Sequence, residues 1–156
     1  KKKIFTAGNG GSASVANHLM CDYLKSIKLN TKKKLIPRVY SLCNSVELIT
    51  AISNDENFDE IFNTQLESFG EKDDLVIMFS CSGSSGNIIK LIKSAKKIKC
   101  KTILFSGFGK KNKNVNFNLN LQCKNFGLCE DVFSSLMHSI MQTIIFENSN
   151  LKKLKI

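Results

Sequence analysis

The run Leu75-Val76-Ile77-Met78-Phe79 is apolar without interruption, and no other stretch constrains the fold as tightly. A strand with one wet face alternates polar and apolar residues. A strand apolar throughout is buried on both faces, as in a parallel sheet covered by helices. This run empties into Ser80-Cys81-Ser82-Gly83-Ser84-Ser85-Gly86, after which Ile88, Ile89, Leu91, Ile92 and Ala95 fall at helical spacing.

The same order recurs along the chain. Residues 3–7 read as a strand ending at Gly8-Asn9-Gly10-Gly11-Ser12. Val15, Leu19, Tyr23 and Leu24 then mark a helix from Ser12, its expected N-cap, to about Lys28. The lysine-rich stretch 30–34 reads as a surface loop, and Pro37 opens a second strand over residues 38–42. A short helix carrying Val46, Leu48, Ile49 and Ile52 is expected to break at Ser53-Asn54-Asp55. Phe58, Ile61, Phe62, Leu66 and Phe69 form another helical stripe, stopped by Gly70. Residues 102–105 read as a strand; Val115, Phe117, Leu119 and Leu121 alternate with asparagines, as in a half-exposed edge strand. A last helix spans about Glu130 to Phe146. Strands and helices alternating through short links predict an α/β fold, a doubly wound parallel sheet with helices on both faces. Ligands of such sheets bind beyond the carboxyl ends of the strands, which puts both Gly/Ser turns on one edge.

The 156 residues suit one domain, and no internal repeat interrupts it. No apolar run approaches the roughly 20 residues that cross a bilayer, and the apolar part of the start is too short for a signal peptide; no membrane partner is expected. The six cysteines form no C-x-x-C pair, which points to reduced thiols and a cytoplasmic setting. The net charge of +10 raises nucleic acid as a partner, but the lysines are spread along the chain and Arg38 is the only arginine. A positive field also draws in a small anionic substrate.

The turn from Ser80 to Ser85 offers what a phosphate needs: hydroxyl donors, a glycine that lets backbone amides converge, and a helix N-terminus. The plainer alternative is a serine-rich turn that merely caps its helix. No lysine completes a nucleotide P-loop. Gly8-x-Gly10-x-x-Ala13 matches a loose dinucleotide fingerprint, but Leu42-Cys43-Asn44 stands where the acidic residue belongs. The chain has two histidines. His18 has Asp22 at i+4, on the same helix face; His138 follows Glu130 by eight residues. These four are ligand types for zinc or a related divalent cation and equally groups that move protons. A bland pair of surface histidines fits the spacing as well.

Gly8-Asn9-Gly10-Gly11-Ser12-Ala13 with His18 beyond it, Ala51-Ile52-Ser53-Asn54-Asp55, Ser80 to Asn87, and Glu130-Asp131-Val132 followed by His138 together resemble the phosphoheptose isomerase (sedoheptulose 7-phosphate isomerase) family of SIS, or sugar isomerase, proteins. The resemblance covers nearly the whole chain in order. It implies a flavodoxin-like SIS domain over 1–156 and an aldose–ketose isomerase working through an enediol, in heptose and cell-surface polysaccharide synthesis. It implies that Ser80, Ser82 and Ser85 grip the sugar phosphate, with Cys81 where the family usually has threonine. Asn9, Gly10, Gly11, Ser12, Asn54, Asp55 and Glu130 are the further substrate contacts expected. His18, Asp22, Glu130 and His138 take the zinc positions, and Asp22 and His138 the catalytic ones.

Asp22 stands for the family's usual glutamate, one methylene shorter, and Glu130 for a glutamine. Family members usually carry an N-terminal helical segment ahead of the first strand, where this chain opens. In the family that segment helps build a homotetramer with active sites between subunits, and the resemblance implies a homo-oligomer, dimer or tetramer, with active sites at subunit interfaces here too. A non-catalytic SIS module that binds a sugar phosphate or a protein is the alternative expectation.

Overall fold

A computed structural model describes residues 2–149; the expected domain over 1–156 thus includes Lys1 and residues 150–156, which lie outside the described residues. Five strands form one sheet: β1 (Ile4–Gly8), β2 (Val39–Ser41), β3 (Leu75–Ser80), β4 (Lys101–Ser106) and β5 (Phe117–Asn120). All pair in parallel in the order β2-β1-β3-β4-β5. This is the flavodoxin-like order, with its switch point between β1 and β3. Register brings Gly8 opposite Phe79 and Ser80 opposite Ser106, so β1, β3 and β4 end together at one edge.

Helices cover both faces: α1 (Gly11–Asp22), α2 (Lys28–Asn30), α3 (Val46–Asp55), α4 (Asn63–Phe69), α5 (Gly86–Ile98) and α6 (Phe126–Asn148). The uninterrupted run of β3 divides its side chains between two cores, as the pleat requires. Ile77 and Phe79 join Val15 and Leu19 of α1 and Phe133 and Met137 of α6. Val76 and Met78 join Leu66 of α4 and Ile88 and Leu91 of α5. Met78 and Phe79 are wholly buried, each stabilising the fold by about 1.5–3 kcal/mol relative to exposure. At the opposite, amino-terminal edge, buried Asp74 accepts the backbone amides of Lys3 (2.8 Å) and Glu71 (2.9 Å), tying β1 to the start of β3.

Several elements depart from the sequence reading. Ser12 is not the N-cap of α1: that position falls to Gly10, whose φ of 56° lies in the left-handed region. The helix also does not run unbroken to Lys28. It widens to a π-helical turn over Tyr23–Ile27 before α2, burying Tyr23 and Ile27 together. Ser53-Asn54-Asp55 do not break α3 but form its last turn. The stripe 58–69 splits into a 3-10 turn, Phe58–Glu60, and α4. The last helix begins four residues earlier than expected, at Phe126, because Asn125 caps it by accepting the Leu128 amide at 3.0 Å. β5 is the half-exposed edge strand that the alternation predicts, and Asn118 fastens it by donating to the Leu104 carbonyl at 3.0 Å.

Candidate active site

Two groups of side chains gather where α1 and α6 pack together beyond the sheet. The first is the pocket between the glycine turn after β1 and the serine loop after β3. Ser80, Ser82 and Ser85 line it together with Asn9, Ser12 and Glu130, around a space of about 80 Å³. The loop is held by its own hydroxyls. Ser80 Oγ accepts the Gly83 amide (3.2 Å) and lies 3.4 Å from Ser85 Oγ, and Ser82 Oγ accepts the Ser84 amide (3.2 Å). Gly83 takes φ 68°, closed to most other residues. Ser85 precedes α5 without its side chain capping the helix. The first-turn amides of α5 therefore keep the donor capacity that suits an anion.

Cys81 also lines this pocket, yet it is 4 % exposed. Its Sγ lies 3.8 Å from Ser12 Oγ and 3.7 Å from the Phe126 carbonyl, and burial pushes the thiol pKa up. Ser12, released from the cap role, donates to Glu130 Oε1 at 3.1 Å. A Cβ on Gly11 would run into the Glu130 carboxylate, so a larger residue there would have to displace that side chain.

The second group is a triangle farther along the same helices. His18 Nε2 and His138 Nε2 are 3.0 Å apart, and Asp22 Oδ2 lies 3.3 Å from the first and 3.2 Å from the second. Both histidines are about half exposed, with Asp22 less so. Three donors 2.0–2.1 Å from a tetrahedral zinc stand about 3.3 Å from one another, so the triangle has the size of one face of such a site. Among the described residues, His18, Asp22 and His138 form the one cluster of this kind. Glu130 is outside it, turned to Ser12.

The remaining expected site residues lie elsewhere. Asn54 and Asp55 are exposed in the last turn of α3, where Asn54 Nδ2 donates to Asp55 Oδ1 at 2.9 Å; neither lines the serine-loop pocket. Asn87, which spacing does not single out, is almost wholly buried at the start of α5. It exchanges two hydrogen bonds with Asn9, both 2.9 Å. No pattern local to either asparagine announces a partner 78 residues away.

A flavodoxin-order sheet with a serine loop and a glycine turn meeting at its switch point defines an α/β protein with an anion-binding crevice there. A family model described as the SIS domain matches residues 1–107. The phosphoheptose isomerase of Aliarcobacter butzleri is 34% identical over 95% of this chain and 78% of its own length. A probable phosphoheptose isomerase of Thermoplasma acidophilum is 40% identical over 67% of this chain. This chain spans 56% of that relative's length and 57% of the Clostridium acetobutylicum phosphoheptose isomerase. Among solved structures, the phosphoheptose isomerase of Neisseria gonorrhoeae superposes with a TM-score of 0.79 at 25% identity, over 92% of this chain and 76% of that one. That of Francisella tularensis reaches 0.82 at 24% identity, over 94% and 77%, and bears on the fold. The chain belongs to the SIS-domain phosphoheptose isomerase family. No described helix is long and apolar enough to cross a membrane.

Proposed function

We propose that this protein interconverts sedoheptulose 7-phosphate, a ketose, and D-glycero-heptose 7-phosphate, the aldose, through an enediol, in heptose and cell-surface polysaccharide synthesis. The observation that carries the reading is the spacing of the two groups on the same pair of helices. Ser12 and His18 are six residues apart on α1, about 9 Å of rise; Glu130 and His138 are eight apart on α6, about 12 Å. An extended seven-carbon sugar reaches roughly 9–10 Å from its terminal phosphate to its first carbon, with single bonds near 1.5 Å. A phosphate on the serine loop therefore sets the carbonyl end of a heptose beside the His/Asp triangle.

On this reading Ser80, Ser82, Ser85 and the first amides of α5 bind the phosphate. Asn9, Gly10, Gly11 and Ser12 run along the sugar, and Glu130 accepts from a hydroxyl. Asn54 and Asp55 reach substrate from outside the pocket described. At the triangle, Asp22 and His138 share two tasks: removing the proton on the carbon beside the carbonyl, and moving a proton between the two oxygens. Histidine titrates close to neutral pH and suits either role. His18, Asp22 and His138 would hold zinc; Glu130, which the resemblance implies as a fourth ligand, stays with Ser12 and serves the substrate hydroxyl instead. Zinc, when bound, supplies charge stabilisation for the developing enediolate.

The proposal extends to a homo-oligomer, dimer or tetramer, with active sites at subunit interfaces; the exposed apolar side chains of α6, among them Leu128, Val132 and Ile140, suit such a contact. It extends also to a cytoplasmic setting, in keeping with six unpaired thiols. The test is turnover by purified protein, with and without added zinc. Formation of an aldoheptose phosphate from sedoheptulose 7-phosphate supports the reading. Saturable binding with no conversion of this or other sugar phosphates favours a non-catalytic sugar-phosphate module.

A further inference from the structure

Asn9 and Asn87 face each other as two primary amides, each donating its Nδ2 to the other's Oδ1 at 2.9 Å. Asn9 belongs to the glycine turn after β1, and Asn87 to the first turn of α5, just past the serine loop. These two segments leave neighbouring strands β1 and β3 at the switch point. The pair is a doubly bonded side-chain bridge between these two segments. Asn87 is 1 % exposed, so its amide is committed to this contact and not to solvent. Asn9 lines the serine-loop pocket, and Asn87 is not among the residues that do.

Each amide still has one N–H and one acceptor lone pair beyond the pair. Asn9 can thus meet a ligand without leaving its partner. The cyclic arrangement fixes the Asn9 rotamer and which way its amide faces, because turning either amide over would set N–H against N–H and oxygen against oxygen. We infer that Asn87 is a positioning residue: it locks the glycine turn to the serine loop, so that the phosphate contacts and the Asn9 contact to the sugar are presented as one preformed unit. The ligand named here rests on the functional reading above; the clamp itself does not. Preorganisation of this kind acts on binding by removing an ordering cost.

The test compares Asn9→Ala, Asn87→Ala and the double variant, with Asn87→Asp as a variant of equal size should the Ala change prevent folding. Asn87→Asp keeps an acceptor for Asn9 Nδ2 but sets an oxygen against Asn9 Oδ1. Hydrogen exchange without ligand reads the clamp alone. The backbone amides of residues 82–86 should exchange faster in every variant than in the parent protein, and no more in the double variant than in the faster single one. Unchanged exchange in Asn87→Ala or Asn87→Asp overturns the clamp. Affinity and turnover with sedoheptulose 7-phosphate read its consequence. Asn87→Ala should raise KM about tenfold, the size of one buried hydrogen bond, with kcat within about twofold, since it touches no reacting atom. In the double variant the loss should be no worse than in Asn9→Ala. Losses that multiply show two independent residues and overturn the proposal. Faster exchange in a protein that binds no sugar phosphate upholds the clamp and overturns the functional reading instead.

Discussion

His138 reaches the triangle from α6, and His18 and Asp22 reach it from α1. If His138 carries a proton in the reaction, His138→Ala lowers kcat by 10²–10⁴-fold, the usual weight of general acid–base catalysis. It should leave the affinity for inorganic phosphate unchanged, because the serine loop lies about two helical turns away. Equal loss of both would place His138 in phosphate binding. Gly11→Ala works from the other end, by pushing the Glu130 carboxylate off Ser12. Substrate KM should rise in that variant while the zinc affinity of the triangle holds. The thiols differ as sharply. Burial holds Cys81 protonated and pushes Cys129 up to about 12, whereas Cys21 is exposed. Iodoacetamide at neutral pH should label Cys21 first and leave Cys81 and Cys129 unmodified until the chain unfolds, which peptide mass spectrometry can follow.

At the scale of elements, what was legible in the sequence is what local patterning encodes. β3 was readable because a strand buried on both faces has no polar residue to place, and the serine loop because hydroxyls and glycine follow it directly. The i, i+4 spacing of His18 and Asp22 likewise puts one edge of the triangle on a single helix face. Ser12 misled because serine before an apolar stripe is the usual N-cap. Its hydroxyl is claimed by Glu130, 118 residues away, and Gly10 takes the cap through a left-handed φ. Asn54 and Asp55 were singled out by resemblance, and in this chain they sit exposed on α3. The Asn9–Asn87 pair was invisible for the reason that hid Ser12's partner: its meaning lies in tertiary contact. The Asn125 cap of α6 can be checked directly. Asn125→Ala should cost about 1 kcal/mol of stability, read by denaturant unfolding, with no change in the cores.

For the whole molecule, two cores share one sheet, and the ligand-facing loops extend from its carboxyl edge. Phe79 is wholly buried and stacks on Phe105 at a centroid distance of 5.3 Å. Phe79→Ala should therefore cost about 3–5 kcal/mol, enough to leave a domain of this size marginal. If the triangle holds zinc, as proposed, its binding to the folded state acts in the opposite direction. At a hundredfold excess over its Kd it adds about 2.7 kcal/mol, raising Tm by roughly 5–10 °C for a domain of this length. His18→Ala should abolish that shift. Zinc that leaves the Tm of the parent protein unmoved would argue that the triangle works as a proton-transfer site alone.

A serine loop and a His/Asp triangle acting on the two ends of one heptose phosphate leave a trace that isotope exchange can read. Sedoheptulose 7-phosphate is incubated with the protein in heavy water and followed by NMR, beside His138→Ala. Deuterium should enter at the carbon next to the carbonyl with the parent protein, and exchange should slow by at least about a hundredfold in the variant. Sedoheptulose 7-phosphate that binds yet keeps all its carbon-bound protons would rule out enediol chemistry at the triangle. Exchange at the same rate in His138→Ala would rule out His138 as a proton carrier there.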